Sequence, residues 1–226
     1  MLTPANRTTA QLTSNLLKEG RFVLFNPALY PTLPGWIDLG EFPVDQKVSP
    51  SNTVNRTDVT AANREGGPDV ILTRNVTSVA IGYDISSLTP DDAVRQLHAG
   101  SAAVPLVDAT VAGVQAYVID PASTLTGRMI IVRKRPVVAG RARIHRVVFH
   151  PSVDFSPNGT GDSNGQETLI FRAEVKPLKW TLSTALTPIA TTLGQYGVQF
   201  DVDDSKLEAL LGILDVEAKP VGDDAP

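Results

Sequence analysis

The sequence predicts a mainly β fold of the α+β class, a β-sandwich or barrel with one flanking short helix and a C-terminal helix. Three observations predict it. Apolar and polar residues alternate in short stretches along much of the chain, as in half-buried strands. The 17 glycines and 17 prolines separate these stretches at short intervals. Hydrophobic residues make up 42% of the 226 residues, which is enough for one packed domain.

The N-terminal part contains a polar lead-in and two strand candidates. Residues 1–20 carry leucines at helical spacing and are expected to form a short helix or an arm that orders against a neighbour. Residues 22–25 form the first strand candidate, which ends at Asn26-Pro27. Residues 36–44 form the second, and a bulge at Gly40 would place both of its halves on one buried face.

A long polar segment, residues 45–68, follows the second strand candidate. Structureless segments longer than about 15 residues are uncommon in compact domains and often make functional contacts. Two interpretations stay open, an exposed hairpin with a mobile tip or a contact-making loop. The segment contains Arg56, Asp58, Arg64 and Glu65.

A strong strand and the clearest helix of the chain come next. Residues 70–85 end in a strict alternation of apolar and small or polar residues, which is typical of a half-buried strand. Thr89 is the expected N-cap of a helix over residues 90–99, with Pro90 at its first position. Gly100 is expected to end this helix in a left-handed conformation.

The second half of the chain predicts more strands and a final helix. A turn-rich stretch at 156–166 is expected to connect two of these strands as a hairpin. Ser205 and Glu208 have capping-box spacing at the start of the C-terminal helix, and an acidic tail follows it. The strand candidates are residues 114–119, 128–135, 143–149, 168–175 and 196–202. With no internal repeat, the domain is expected over residues 21–202, followed by the C-terminal helix and tail at 203–226.

Few residues suggest chemistry. The chain has no cysteine, which excludes disulfides and thiolate sites. No Gly-x-Ser-x-Gly motif accompanies the histidines His98, His145 and His150, so structural roles are favoured for them. Oxygen-bearing residues from Asp154 to Asn164 could suit calcium, but the EF-hand order is missing and a plain loop is favoured. We therefore expect no catalytic residue, no metal, no cofactor and no enzymatic activity.

Charge is segregated along the chain. Residues 128–151 contain basic residues and no acid, whereas acid dominates from residue 201 onward. Three interpretations stay open: a basic face that meets an acidic face on another copy, a solvated face, or contact with DNA or RNA. The net charge of −4 argues against a general affinity for nucleic acid. The first residues lack the apolar core of a signal peptide, and a soluble protein is expected.

Three stretches resemble the major tail tube proteins of long-tailed bacteriophages. Residues 20–25 read Gly-Arg-Phe-Val-Leu-Phe and residues 36–42 read Trp-Ile-Asp-Leu-Gly-Glu-Phe. They are similar to the opening strands of that family, the second of which has an apolar-aspartate-apolar-glycine pattern. Residues 87–94, Ser-Leu-Thr-Pro-Asp-Asp-Ala-Val, are similar to the family's strand followed by a Thr-Pro-Glu-Asn helix. The resemblance covers residues 20–100 and extends more diffusely over the strands to residue 175.

The resemblance implies a structural virion protein whose hexameric rings stack into the phage tail tube, a conduit for DNA delivery into the host cell. The implied partners are other copies of the chain, the tape measure protein, and the tail terminator and distal tail proteins. DNA would pass through the lumen without specific binding, and no membrane takes part. The implied location is the phage tail of the virion, assembled in the host cytoplasm.

By position, the resemblance implies that the segment at 45–68 and the N-terminal arm connect successive rings. We further expect acidic rather than basic charge in the lumen. The alternatives are another virion component, such as a tail terminator or decoration protein, and a carbohydrate-binding β-sandwich module that uses Trp36 and Trp180. The residues expected at contacts between subunits or rings are Arg56, Asp58, Arg64, Glu65, Arg133, Lys134, Arg135, Arg141 and Arg143.

Overall fold

A computed structural model gives the fold of the chain. It describes residues 19–27, 35–43, 46, 48–61, 70–88, 90–100, 104–111, 113–135, 142–178, 180–181, 196–216 and 219–220. The N-terminal arm expected before residue 19, the tail expected after residue 220, and the predicted contact residues Arg64, Glu65 and Arg141 lie outside these residues.

The protein is mainly β, with antiparallel strands and two α-helices in the described residues. Eight strands form one sheet in the order β2-β1-β7-β8-β9-β4-β3, and β11 pairs with β8 beside this path. Two short ladders, β5 with β6 and β10 with β12, lie outside the sheet. The strands are β1 Glu19–Asn26, β2 Ile37–Asp38, β3 Ser51–Ala61, β4 Val70–Ser87, β5 Val104–Pro105, β6 Gln115–Ala116, β7 Leu125–Lys134, β8 Ile144–Ser163, β9 Gln166–Val175, β10 Trp180–Thr181, β11 Val198–Asp203 and β12 Lys219–Pro220. The helices are α1 Asp92–Ala99 and α2 Asp204–Val216.

Strand β8 is 20 residues long and organises the sheet. One edge pairs with β7, while the other pairs first with β11 and then with β9. The hairpin predicted at 156–166 is confirmed, since β8 pairs with β9. Its turn is shorter than predicted, because β8 continues to Ser163 and only Asn164 and Gly165 form the turn. Both turn residues have positive φ, 54° and 79°, as the two-residue hairpin turn requires.

The main core lies on one face of the sheet. It contains buried side chains of β1, β4, β7, β8 and β9 together with Val94 and Leu97 of α1. Phe155 on β8 stacks on Phe25 of β1 with ring centroids 4.5 Å apart, and lies 4.9 Å from the ring of Phe171 on β9. Because strands far apart in the sheet order line one cluster, the sheet curls around its core.

The connection from β2 to β3 crosses the open side of the curled sheet. Leu39 donates its backbone N–H to the carbonyl of Val23 in β1 at 3.0 Å. Farther along, the backbone carbonyl of Glu41 accepts from the backbone N–H of Leu88, just after β4, at 2.8 Å. The prediction of a strand with a bulge at 36–44 was therefore wrong for residues 39–43, and Val44 lies outside the described residues. The Asp38 carboxylate accepts from the N–H of Gly40 at 3.0 Å, and this turn directs the chain out of the sheet.

Helix α2 covers the opposite face of the sheet. Leu214 is fully buried against Ile130 and Val132 of β7 and Val147 and Phe149 of β8. Four consecutive buried residues, 129–132, therefore contact a different core on each face of β7.

A buried arginine anchors the last turn of α2. Arg128 is 1% exposed, and its Nη1 donates to the carbonyl oxygen of Asp215 at 2.6 Å. The guanidinium lies over the Trp36 ring at 5.0 Å, and the Trp36 indole N–H donates to the Asp215 carboxylate. A cation at this position complements the negative end of the helix.

Three predicted boundaries changed. Helix α1 begins at Asp92 with Asp91 as its N-cap, so Thr89 is not the cap and Pro90 precedes the helix. The Asp91 carboxylate can accept from the N–H of Val94 at 2.8 Å, which makes it an effective cap. Gly100 ends the helix with φ 76°, which confirms that prediction. In the region predicted as a strand at 114–119, only Gln115–Ala116 forms one, and α2 begins one residue before Ser205.

Candidate functional site

The most exposed regular structure is the outer part of the β3–β4 hairpin. Strand β4 pairs with β9 only from Ile81 to Ser87, whereas its earlier residues pair with β3 alone. Every residue of β3 is exposed except Ala61, which is half-buried. We name residues 51–61 and 70–80 the projecting hairpin. At about 3.3 Å per residue it extends roughly 33 Å. Strand β3 agrees with the exposed hairpin that was one interpretation of residues 45–68. Residues 62–69 lie outside the described residues, and a contact-making role stays a prediction.

The two faces of the projecting hairpin differ in chemistry. Side chains of directly paired residues lie on the same face of an antiparallel ladder. The pairs Ser51–Gly82, Thr53–Ala80, Asn55–Ser78, Thr57–Asn75 and Val59–Thr73 form one face, which is mostly polar. The pairs Asn52–Ile81, Val54–Val79, Arg56–Val76, Asp58–Arg74 and Thr60–Ile71 form the other, which we name the apolar face.

The apolar face is a continuation of the protein's own core surface. Ile81 packs against the main core, and Tyr83 and Ile85, farther along the same face of β4, are buried inside it. Beyond Ile81, this face leaves the core and meets solvent. Val79 is 36% exposed and Val76 is 56% exposed.

Two bulges in β4 assemble the apolar face. The register shifts between Asn55 and Arg56 and again between Val59 and Thr60, so Thr77 and Leu72 have no direct partner on β3. Each bulge inverts the alternation of the strand that contains it. The first bulge moves Val76 to the face that already holds Val79. Without it, Val76 would lie on the polar face.

Charged residues interrupt the apolar face at two places. Arg74 forms a bidentate ion pair with Asp58. Nε and Nη2 of Arg74 lie 2.7 and 2.9 Å from the two carboxylate oxygens. The hydrogen bond from Arg74 lowers the pKa of the Asp58 carboxyl below its ordinary value. The Arg56 side chain makes no hydrogen bond or ion pair with any residue that the structure describes. Contacts of Arg56 and Asp58 with another copy stay a prediction.

The basic and acidic segments meet within the chain. Strand β11 pairs with β8 so that Asp201 lies opposite Arg146, and the two side chains are 3.2 Å apart. Arg135 contacts the same carboxylate at 3.4 Å. His145 donates from Nε2 to Asp204 at 2.5 Å, and this hydrogen bond lowers the pKa of the Asp204 carboxyl. The segregated charges therefore neutralise each other between neighbouring elements of one copy, which was not among the three interpretations of the sequence.

Other predicted contact residues already have partners in their own chain. Arg133 donates from its guanidinium to the carbonyl of Val48, and Lys134 lies over the Phe22 ring at 5.7 Å. Arg143 donates from Nε to the carbonyl of Arg135 at 2.9 Å. These residues lie at the end of the sheet where β7 ends and β8 begins, and their contact with another copy stays a prediction.

The histidines occupy structural positions. Nδ1 of His150 lies 2.6 Å from the Tyr196 carbonyl, and Nε2 lies 2.7 Å from the Tyr83 hydroxyl. Burial lowers the pKa of His150 and raises the pKa of Tyr83 to about 12, so the pair is neutral near pH 7. His98 packs edge-on against Phe171 and bonds to the Gly159 carbonyl at 2.8 Å.

The calcium candidate does not form a cluster. Asp154 faces Thr126 on the neighbouring strand, whereas Asp162 accepts from the N–H of Gly165 in the hairpin turn. Across the part of the chain that the structure describes, no group of three or more potential metal ligands occurs.

A second exposed apolar region, missed by the sequence reasoning, lies between α1 and β7. We name residues 104–119 the apolar segment. It contains β5, β6 and a 3-10 turn at Ala109–Val111. Val107 is 98% exposed and Ile119 is 81% exposed. Apart from Ile144, the exposed large hydrophobic residues among those described all lie in this segment or on the projecting hairpin.

The fold defines a mainly β protein of the α+β class that displays two exposed apolar regions. A search of known protein-family models found no match to the chain. A search of curated proteins found none either. Neither of the two helices within the described residues is long and apolar enough to cross a membrane.

Proposed function

We propose that this chain is a self-assembling structural subunit whose copies close into hexameric rings, and that these rings stack into a tube of the phage-tail type. The projecting hairpin carries the proposal. Its apolar face continues the core surface of the sheet for about ten residues beyond the core, with four exposed aliphatic side chains at Val54, Ile71, Val76 and Val79. Aliphatic side chains grouped on one exposed face often mark a surface that contacts another protein.

The sheet edges support self-association. The outer edge of β3 pairs with no strand in the described part of the chain, and it is 11 residues long. At the opposite end, β2 pairs with β1 only at Leu24 and Phe25, which leaves the earlier part of β1 at an edge. Long free edges tend to recruit another strand, and closure into a ring protects all of them with one repeated contact.

The charge distribution supports passage of DNA without binding. The arginines of β7 and β8 contact carboxylates or carbonyls of their own copy, as in the Arg146–Asp201 pair. A conduit requires weak attraction to phosphate, and a net charge of −4 together with ion pairs such as Arg146–Asp201 supports this. In the virion, such a tube would enclose the tape measure protein and contact the terminator and distal tail proteins at its ends.

Electron microscopy of the purified full-length protein over a concentration series tests this function. We expect six-fold rings at intermediate concentration and tubes at high concentration. Val76→Asp, on the apolar face, should abolish the tubes, whereas the matched change Asn75→Asp on the polar face should leave them intact. Single rings that never stack would favour a tail terminator, and single copies at every concentration would overturn the proposal.

A further inference from the structure

We propose that the apolar segment of one copy docks on the apolar face of the projecting hairpin of a second copy, and that Asp108 meets Arg56 across this contact. The inference rests on the proposed self-assembly and names the two surfaces that carry it. The partner is a second copy of the chain, because one exposed apolar region carries the cation Arg56 and the other carries the carboxylate Asp108.

The apolar segment is shaped to be bound. Val104 pairs with Ala116 and Pro105 with Gln115, and Leu106 donates its N–H to the Val114 carbonyl at 3.0 Å. These bonds form a small hairpin, and Val107 follows directly after its last paired residue and is almost wholly exposed. Because hydrogen bonds already order the backbone next to Val107, binding of this side chain costs little further conformational entropy.

The charges of the two regions are complementary. Asp108 is the one charged residue in the apolar segment. Thr110 donates to its Oδ1 from the backbone N–H at 2.8 Å and from the hydroxyl at 2.5 Å, which holds the carboxylate in place. Those hydrogen bonds lower the pKa of the Asp108 carboxyl, so it is charged at neutral pH. On the apolar face, Arg56 is the cation that lacks an ion pair among the described residues, since Arg74 already holds Asp58.

The two regions are different surfaces, and this determines the kind of assembly. A contact between unlike surfaces is heterologous, so every copy offers one free hairpin and one free apolar segment to its neighbours. Repetition of such a contact closes into a ring or continues along an axis, whereas a contact between like surfaces would end at a dimer. The proposed docking therefore generates rings or stacks without a further surface.

Cysteine cross-linking tests the docking directly, because the chain has no cysteine of its own. Two single variants, Val54→Cys and Val107→Cys, are mixed at equal concentration and oxidised. The control replaces Val54→Cys with Val59→Cys, which is equally exposed, at 45% against 43%, and lies on the opposite face of the same strand. We expect the mixed disulfide with Val54→Cys to form about tenfold faster than with Val59→Cys, because docking raises the effective concentration of the pair.

A charge exchange provides an independent readout. Arg56→Glu and Asp108→Arg should each weaken assembly about tenfold, measured by sedimentation velocity at low salt, because each places like charges together. The double variant should recover most of the loss. Damage to the Asp108 turn alone would not be rescued by a change on another copy, so rescue identifies the contact.

The outcomes separate this inference from the proposed function. Rings or tubes together with preferential cross-linking through Val54 and rescue by the double variant support both. Rings or tubes with equal cross-linking through Val59, or without rescue, overturn the docking and leave the assembly proposal in place. Single copies at every concentration overturn both.

Discussion

Replacing Tyr83 with phenylalanine tests the buried hydrogen bond that connects the core to β11. Nδ1 of His150 faces the Tyr196 carbonyl at 2.6 Å, and a carbonyl can only accept, so Nδ1 carries the imidazole proton. Nε2 is then an acceptor, and the Tyr83 hydroxyl donates to it at 2.7 Å. Tyr83 is 3% exposed and His150 is 5% exposed, so water does not replace a lost donor easily. Phenylalanine keeps the ring and removes only the hydroxyl.

The expected cost follows from leaving one buried acceptor without a donor. Such a group costs about 1–3 kcal/mol, and the small volume of a hydroxyl adds little to this. We expect Tyr83→Phe to lower the free energy of unfolding by about 2 kcal/mol. With a urea dependence of about 2–3 kcal/mol per molar, the midpoint of unfolding should fall by about 0.7–1 M.

Urea unfolding followed by circular dichroism at pH 8 measures this loss, at a protein concentration low enough for single copies. Tyr117→Phe is the matched control, since its hydroxyl donates to Asp92 at 3.3 Å at an exposed position. The control should change the free energy of unfolding by no more than about 0.5 kcal/mol. Equal midpoints for the two variants would refute the assignment of a stabilising bond to Tyr83 and His150.

Three further predictions concern the same core and its surroundings. Burial lowers the pKa of His150 below its ordinary value of 6.5, so the unfolded chain binds a proton that the folded protein does not. The stability from this group should be complete above pH 6.5 and should decrease between pH 6.5 and 5 in urea titrations, and a flat profile would contradict it. Leu214→Ala should cost about 2–5 kcal/mol in the same assay, because Leu214 is fully buried under the sheet, and a loss below about 1 kcal/mol would argue against a docked helix. Gly197→Ala should lower the free energy of unfolding by at least about 2 kcal/mol, because the new Cβ would lie 2.3 Å from the Phe149 carbonyl oxygen. Gly159→Ala, at a position with positive φ but open space around it, should lower it by about 1 kcal/mol.

Alternation in the sequence predicts most of the strands but not how the sheet is covered. The alternation at residues 171–175, within the strand predicted at 168–175, corresponds to β9, because Phe171, Ala173 and Val175 meet the core while Arg172 and Glu174 lie on the other face. In β7, residues 129–132 are all apolar and all buried. This run signals a strand covered on both faces, and α2 is the cover. The partner of a buried face is a long-range choice, which local patterns do not encode.

The candidate site was predictable in location but not in structure. The segment at 45–68 was identified as exposed, and the structure places β3 in it. Its apolar face could not be found from β3 or β4 alone, because the two bulges change which residues share a face. The apolar segment at 104–119 carried a usable signal, a run of aliphatic residues with one charge and no regular alternation.

Coverage of the outer sheet face by α2 has a consequence for synthesis. Strands β7 and β8 leave the ribosome well before α2. The apolar side chains of Ile130, Val132, Val147 and Phe149 therefore stay exposed to water until roughly sixty further residues have been translated. During that interval a nascent subunit exposes the apolar outer face of the sheet as well as the apolar face of the projecting hairpin. When α2 docks and Arg128 bonds to its last turn, the outer sheet face is covered and the projecting hairpin stays exposed. A completed subunit can therefore associate through its projecting hairpin and no longer through the outer face of its sheet.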